Sequence, residues 1–391
     1  MKKIVFCWEM GGNYGHIAGF LPLYRELKKQ GADVYCILRS LEFVHLLGPE
    51  AISKCFQAPS PILAPVKREV RSYADILACI GYLDERVLSR YLFDWGKLLE
   101  NIGPDVIIVD HAPTASLAAR VLRIPVAAIG TGFINPPGTH TFPPFFPEKP
   151  STEINLSEQI LKVINKVLTS FHTEIFEYIG DIFSCATQFL CTFSELDHYG
   201  VRHDGNYCGP LYADEIGDVF SWPNAEKKIF AYITPQVKNI ALALTKISRL
   251  PGFKLFHVPG LSADLQQHFL GRSDVKIQLA PVHMGSMLQQ VDLVICQGGI
   301  GLSSQCFMRG ITQVLIPTQV EQRMLARRML VQQLAFAVDP NLPNPPYTDV
   351  LSKSLESSVV EQNCAAIKDK YQHFSQQDQI LKMTETIFRL G

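Results

Sequence analysis

Three stretches of the 391-residue chain combine side chains that can move a proton or hold an anion. Residues 9–16 read Glu-Met-Gly-Gly-Asn-Tyr-Gly-His. Gly11, Gly12 and Gly15 permit a tight backbone and the close approach of a ligand. His16 falls where a helix is expected to begin, and the positive end of the helix dipole there disfavours an imidazolium. A neutral imidazole is a competent general base. The plainer alternative makes His16 a polar helix starter beside an ordinary strand-to-helix turn. In the second stretch, Asp110 and His111 follow an apolar run at 107–109. A carboxylate at the end of a central strand can accept the second ring proton of His16 and fix its tautomer. The alternative has Asp110 capping a helix that starts near Pro113 or Thr114. In the third stretch, residues 292–310 read Asp-Leu-Val-Ile-Cys-Gln-Gly-Gly-Ile-Gly-Leu-Ser-Ser-Gln-Cys-Phe-Met-Arg-Gly, and residues 317–322 read Pro-Thr-Gln-Val-Glu-Gln. Gly298, Gly299 and Gly301 sit where a strand turns into a helix, so free amides and the helix dipole converge on an anion, most naturally a phosphate. The spacing differs from the dinucleotide-binding fingerprint and lacks the Lys and Ser/Thr of a P-loop.

The elements that must position these residues alternate between short apolar runs and helical patterns, as βαβ units around a parallel sheet do. Strands are expected at 4–7, 34–38, 105–109, 126–129 and 189–193, with a short one at 207–208. Helices are expected at 17–30 and 114–122, with one or two more over 151–182. In the first, Ile17, Phe20, Leu21, Tyr24 and Leu27 share one face, and Gly31 ends it. Residues 133–150 are too rich in proline and aromatics for a helix or a central strand. They read as a long loop whose phenylalanines argue against simple disorder. After an aperiodic stretch at 209–224, a second series begins. Its expected strands are 229–233, 254–258, 275–279, 291–296 and 314–316, and its helices 236–248, 299–308, 319–332, 349–372 and 378–390. The fold class is therefore α/β, with two Rossmann-like domains.

Composition narrows the function. Lys and Arg number 36 against 37 Asp and Glu, a formal charge of -1, without the basic excess that phosphate-backbone binding demands. This argues against a nucleic-acid partner. With 47% hydrophobic and 19% charged residues the chain is no disordered segment. Its apolar stretches are interrupted before the roughly 18 residues a spanning helix needs, which argues against a membrane span and leaves only peripheral contact open. The apolar run after Lys2 and Lys3 is too short for a signal peptide. Ten cysteines without Cys-x-x-Cys spacing read as reduced thiols of a cytoplasmic protein.

Residues 281–322 resemble the nucleotide-sugar half of GT-B glycosyltransferases, in particular the UDP-sugar-dependent family that includes bacterial macrolide and flavonoid enzymes and the plant and animal UDP-glycosyltransferases. That family carries His-Gly-Gly-x-Gly-Thr-x-x-Glu-Ala-Leu-x-x-Gly-x-Pro and, a strand later, Pro-x-x-x-Asp-Gln. The glycines, the helix, Gly310, Pro317 and Gln322 match in register. The opening half is similar too: Gly15 and His16, the Leu-Lys-Lys-Gln-Gly ending at Gly31, Pro-Asp-Val-Ile-Ile-Val-Asp at 104–110, and Ala-Ala-Arg-Val-Leu-Arg-Ile-Pro at 118–125.

The resemblance implies two Rossmann-like domains facing across a cleft. An acceptor-binding domain would span 1–208, a linker 209–226 and a nucleotide-sugar-binding domain 227–375, with the helix in 376–391 returning to the first domain. It implies an inverting, metal-independent sugar transfer from a UDP- or dTDP-sugar to a small-molecule hydroxyl. His16 would be the base and Asp110 its orienting partner. Gln297, Gly298, Gly299, Gly301, Ser303, Gln305, Glu321 and Gln322 would hold the nucleotide sugar, which is a co-substrate and not a cofactor. Gly12, Asn13, Phe133, Phe142 and Phe145 would line the acceptor pocket, suiting an apolar acceptor; otherwise the phenylalanines simply fill the core.

Several positions depart from the family. Its phosphate-binding His is Gln297 here, its Thr is Leu302, its ribose-binding Glu is Gln305, and its Asp is Glu321. Ser303 could replace the lost hydroxyl, and a neutral Gln305 forgoes about 1 to 2 kcal/mol of charge-assisted bonding. The base-stacking aromatic is absent near Ala280 and Pro281. These departures motivate the alternative of a non-catalytic GT-B nucleotide-binding or auxiliary protein. A GT-B sugar epimerase would need an acid-rich site that has no counterpart in the sequence.

Overall fold

The computed structural model describes residues 1–391 except 13–14, 62–68, 149–153, 185–186 and 214–215. The chain divides into two units, Met1–Tyr212 with Ser375–Gly391, and Ala213–Phe374. In the first, β1 (Lys3–Trp8), β2 (Asp33–Leu38), β3 (Cys55–Gln57), β4 (Val106–Asp110), β5 (Val126–Gly130) and β6 (Thr187–Leu190) form one parallel sheet in the order β3-β2-β1-β4-β5-β6. Every residue of β4 is buried, as befits strands covered by helices on both faces, whose sequences read as continuous apolar runs. The strand order reverses between β1 and β4. In such sheets ligands bind outside the carboxyl ends of the strands at the reversal.

The second unit repeats the plan. Its strands β7 (Lys228–Tyr232), β8 (Phe253–His257), β9 (Val275–Gln278), β10 (Leu293–Cys296), β11 (Thr312–Leu315) and β12 (Phe336–Ala337) pair in parallel in the order β12-β11-β10-β7-β8-β9. Here the reversal lies between β7 and β10.

Several elements differ from those expected. The strand expected at 189–193 runs Thr187–Leu190, and Tyr207 adds only an isolated bridge to Leu190. The stretch 349–372 is two helices, Tyr347–Glu356 and Ser358–Lys370, because Ser357 leaves helical geometry and its side chain accepts from Val360 N. The helix expected from residue 236 starts at Ile240, capped by Asn239 in a left-handed conformation. Part of the stretch expected to be linker packs against the second unit's sheet. Asp218 N donates to Pro281 O, the Phe220 ring stacks on Phe253, and the Trp222 ring meets Phe253 edge-on. The helix Glu85–Ile102 is an addition with plain signals. Asp84 caps it by accepting from Arg86 N and Val87 N, Gly103 ends it, and Leu88, Tyr91, Leu92, Trp95, Leu99 and Ile102 bury one face.

The last helix, Gln376–Arg389, belongs to the first unit and lies against Gly15–Lys29. Gln376 exchanges two hydrogen bonds with the backbone of Tyr212, and Gln377 Nε2 donates to Glu26 Oε2. Ile380, Met383 and Ile387 are buried. Among the described residues no helix is long and apolar enough to cross a membrane.

Truncating Ile387, which is fully buried, should therefore destabilise the first unit. Ile387→Ala is expected to cost about 2 to 5 kcal/mol. Urea unfolding followed by tryptophan fluorescence in a Trp222→Phe background reads this unit alone, since Trp8 and Trp95 both lie in it. A change under about 0.5 kcal/mol would mean that the helix contributes little to the core.

Candidate functional site

In the first unit the site is built where β1 and β4 end side by side, with Trp8 paired to Asp110. Glu9, the next residue after β1, is buried and reaches the start of the helix Pro113–Leu122. Its Oε2 accepts from Thr114 N at 2.8 Å and Ala115 N at 3.3 Å, and its Oε1 from Thr114 Oγ1 at 2.6 Å. Helix starts leave such amides without intrahelical partners, and the N-cap residue here, Ala112, has no side chain to offer. Glu9 supplies that capping bond. The alternative in which Asp110 caps this helix is thereby answered: the cap comes from Glu9.

Asp110 instead faces the helix Gly15–Lys29, where its Oδ2 lies 2.8 Å from His16 Nδ1. With the Nδ1 proton directed at the carboxylate, Nε2 carries the basic lone pair. Trp8 stacks on the imidazole with ring centroids 4.9 Å apart, its own Nε1 donating to Met10 O at 2.7 Å. Gly11 has a φ of 84°, and a Cβ there would stand 2.7 Å from His16 Nε2. Both conditions demand glycine. Gly12 is exposed, and a Cβ on it would meet nothing within 4 Å. Asn13 lies outside the described residues.

His111 follows Asp110 with a φ of 49°, a conformation uncommon for a residue with a Cβ. Its ring centroid is 6.5 Å from that of His16. Burial, with the His16 and Arg39 charges adding, pushes its pKa down to about 3, so the ring is neutral. Phe133, Phe142 and Phe145 of the long loop are buried, and Phe146 is half-buried. Phe142 is part of the main core and packs on Tyr73 and Phe183, which is the core-filling alternative for this ring. Phe133 contacts His111, Phe145 and His198, so it borders the histidine cluster.

In the second unit, Gln297 to Gly301 follow β10 at the strand reversal. Gly298 has a φ of 82°. Gly299 is the N-cap of the helix Ile300–Arg309 and offers no side-chain cap, and a Cβ on Gly299 or Gly301 would meet nothing within 4 Å. The helix start is therefore open to an anion. Gln297 holds the surrounding loops together: its Oε1 accepts from Thr234 N at 3.0 Å, and its Nε2 donates to Thr318 Oγ1 at 2.8 Å. An amide with two N–H groups and two lone pairs keeps one of each after these bonds. Gln322 Oε1 accepts from Thr318 N and Gln319 N, closing a capping box on the helix Val320–Val331, so its NH2 group is the part left for a ligand. Glu321 sits in the first turn of that helix. Gln305 is 5% exposed, and its Oε1 has no hydrogen-bond partner among the described residues.

Ser303 departs from its expected role. It is fully buried, with Oγ 3.9 Å from Cys296 Sγ, because its position in the helix turns it toward β10. It does not reach the open helix start. Sequence reasoning also missed Glu9 as a cap, which has no local signal because its partners lie 105 and 106 residues away. Thr318 lay inside the Pro-Thr-Gln-Val-Glu-Gln run and could have been noticed.

No protein-family model matches the sequence, and no curated protein matches it. Solved structures match over nearly the whole length. The glycotransferase of kitacinnamycin superposes with a TM-score of 0.73 at 16% identity, covering 100% of this chain and 99% of that one. Glycosyltransferase VinC in complex with dTDP gives 0.67 at 12% identity, covering 100% of both chains. Spinosyn rhamnosyltransferase SpnG complexed with spinosyn aglycone gives 0.65 at 15% identity, covering 98% of this chain and 100% of that one. The fold is GT-B. Within it, each unit of this GT-B chain carries its cluster of polar residues and glycines at the strand reversal of its own sheet.

The cap has a pH signature. Burial pushes the Glu9 carboxyl up from 4.5 to about 7, against the opposing pull of the Thr114 bonds. The folded protein thus keeps a proton that the unfolded chain releases near pH 4.5. The stabilisation is fully present below that pH and is lost as pH rises through about 7, amounting to about 3 kcal/mol. Unfolding free energies measured from pH 4.5 to 8 should fall accordingly in the wild type, and this component of the slope should vanish in Glu9→Gln. An identical slope in both proteins would mean that Glu9 does not titrate in this range.

Proposed function

We propose that this GT-B protein is a glycosyltransferase, moving a sugar from a nucleoside-diphosphate donor to a hydroxyl of a small, apolar acceptor. The observation that carries the reading is the His16–Asp110 pair: an imidazole whose Nδ1 is held 2.8 Å from a carboxylate at the end of a central strand. A module that only binds ligands has no need of a positioned base. In this reading His16 Nε2 removes the proton of the acceptor hydroxyl as its oxygen attacks the anomeric carbon. The bond to the diphosphate oxygen breaks on the opposite face, so the configuration inverts. Asp110 stabilises the imidazolium that forms.

The first unit would serve the acceptor and the second the sugar nucleotide. Negative charge gathering on the leaving diphosphate falls to the amides around Gly298, Gly299 and Gly301 and the helix dipole behind them. The unpartnered Oε1 of Gln305 suits a ribose hydroxyl, and Glu321 and the NH2 of Gln322 suit sugar hydroxyls. The named structures support the same classes of ligand, one with dTDP and one with a spinosyn aglycone. Phe133 and Phe145 would border the acceptor, with Gly12 and Asn13 in the opening loop. Eight described cysteines, Cys7, Cys36, Cys55, Cys191, Cys208, Cys296, Cys306 and Cys364, are free thiols, which suits the reducing cytoplasm.

A second reading, a nucleotide-binding protein without transfer, is favoured by the hydrogen bonds that occupy Gln297 and by the burial of Ser303. A screen of UDP-, dTDP- and GDP-sugars against a mixture of apolar alcohols separates the two. The wild type is expected to transfer sugar. His16→Ala should lower kcat/KM by about 10³, within the range for loss of a general base, while the nucleotide Kd stays within about twofold. Asp110→Asn should lower kcat by about 10² or more. Nucleotide binding without transfer from any donor would overturn the catalytic reading.

A further inference from the structure

We infer that His111 and Asn135 form a second polar contact point for the acceptor, selecting molecules that carry an uncharged oxygen near the hydroxyl that reacts. The inference rests on the transfer reading for its purpose, but its geometry stands independently.

A narrow pocket in the first unit, with room for a water-sized group, is bordered by Val109, His111, Ser116, Ala128, Asn135 and Phe183, among others. Two of its lining residues are anomalous. His111 is 8% and Asn135 3% exposed, yet His111 Nε2 and Asn135 Nδ2 have no hydrogen-bond partner among the described residues. The hydroxyl of Tyr73, whose ring centroid is 5.9 Å from that of His111, is also unpartnered among them. A buried polar group without a partner costs about 1 to 3 kcal/mol. Folded proteins rarely gather several at one place without a ligand, a water or a strained functional segment to account for them. Ser116 does not share the anomaly, since its Oγ donates to Ala112 O at 3.2 Å.

The backbone holds both residues in place. Met10 N donates to His111 O at 3.1 Å, supporting the left-handed φ that carries the ring. Asn135 N donates to Thr131 O, and Arg202 Nη1 donates to Asn135 O at 2.7 Å. Such over-determined strain next to a reacting group is a mark of function.

The donors and acceptors define the guest. Asn135 Nδ2 can only donate, whereas Nε2 of a neutral imidazole accepts or donates according to its tautomer. A hydroxyl satisfies both by accepting from Asn135 and donating to His111. A carbonyl oxygen satisfies both by accepting from each. A carboxylate is disfavoured, because the histidine is held neutral and the Asp110 carboxylate belongs to the residue next to it. The His16 and His111 ring centroids are 6.5 Å apart, a separation within the span of one small molecule.

The test is direct binding of 2-naphthol and 2,3-dihydroxynaphthalene, which differ by one hydroxyl, titrated by ligand fluorescence into the full-length protein. The wild type should bind the diol about 5- to 10-fold more tightly, as one added hydrogen bond implies. Asn135→Ala and His111→Asn should each bring that preference to about 1; asparagine tolerates the left-handed backbone at 111. Equal affinities in the wild type, or a preference that survives in both variants, overturn the inference and leave the pocket to a bound water. Loosened packing would weaken both ligands together and leave their ratio intact, so it cannot imitate the expected result. Should His111→Asn fail to fold, Asn135→Ala decides alone. A diol preference without sugar transfer from any donor refutes the transfer reading and keeps this one; transfer without a diol preference does the reverse.

Discussion

The first unit's site depends on one capping interaction. Glu9 leaves the end of β1, crosses to the helix that follows β4, and takes two of its first backbone amides together with the Thr114 hydroxyl. An uncapped helix start beside a central strand is costly, and Glu9 removes that cost, although its carboxyl is buried so deeply that ionising it remains unfavourable even with these donors around it. Because Glu9 caps that helix, Asp110 is spared the role and can hold His16. The positions of His111 and of the Met10 backbone bonded to it follow from the same tie between β1 and β4.

The second unit solves its own problem at the same topological place with neutral groups. Gln297 bonds the loop after β7 through Thr234 and the loop after β11 through Thr318, and Gln322 fixes Thr318 and Gln319 in turn. This amide network shapes the opening at Gly298 and Gly299 without a charged side chain in it. Oriented backbone amides at a helix start can hold one anion of modest size, which is compatible with a chain whose formal charge is only -1. A nucleic-acid polymer would require many cations instead.

Much of this was legible in the amino-acid sequence. Apolar runs alternating with helical periods marked ten of the twelve strands, because strands buried on both faces in a parallel sheet must be apolar throughout. Neither β3, with three residues, nor β12, with two, is long enough to show a pattern. The helix Glu85–Ile102 carries every local signal in its sequence, from the Asp84 cap to Gly103. The glycine-rich turns at 11–15 and 298–301 were readable from residue type and position, and so was the candidacy of Asp110 as a partner for His16, since strand ends and helix starts dictate which side chains can meet.

What tertiary structure alone decided concerns choices between equally good local readings. Sequence could not say whether Asp110 would cap a helix or hold a base, because the competing cap, Glu9, is brought there by the pairing of β1 with β4 across about a hundred residues. It could not say that Phe142 enters the core while Phe133 borders the histidines, or that Ser303 turns inward, since one residue along a helix rotates a side chain by about a quarter turn or more. Local chemistry determined which groups were available at each strand end. Long-range packing determined which of them were left unsatisfied, and those remain available for a ligand.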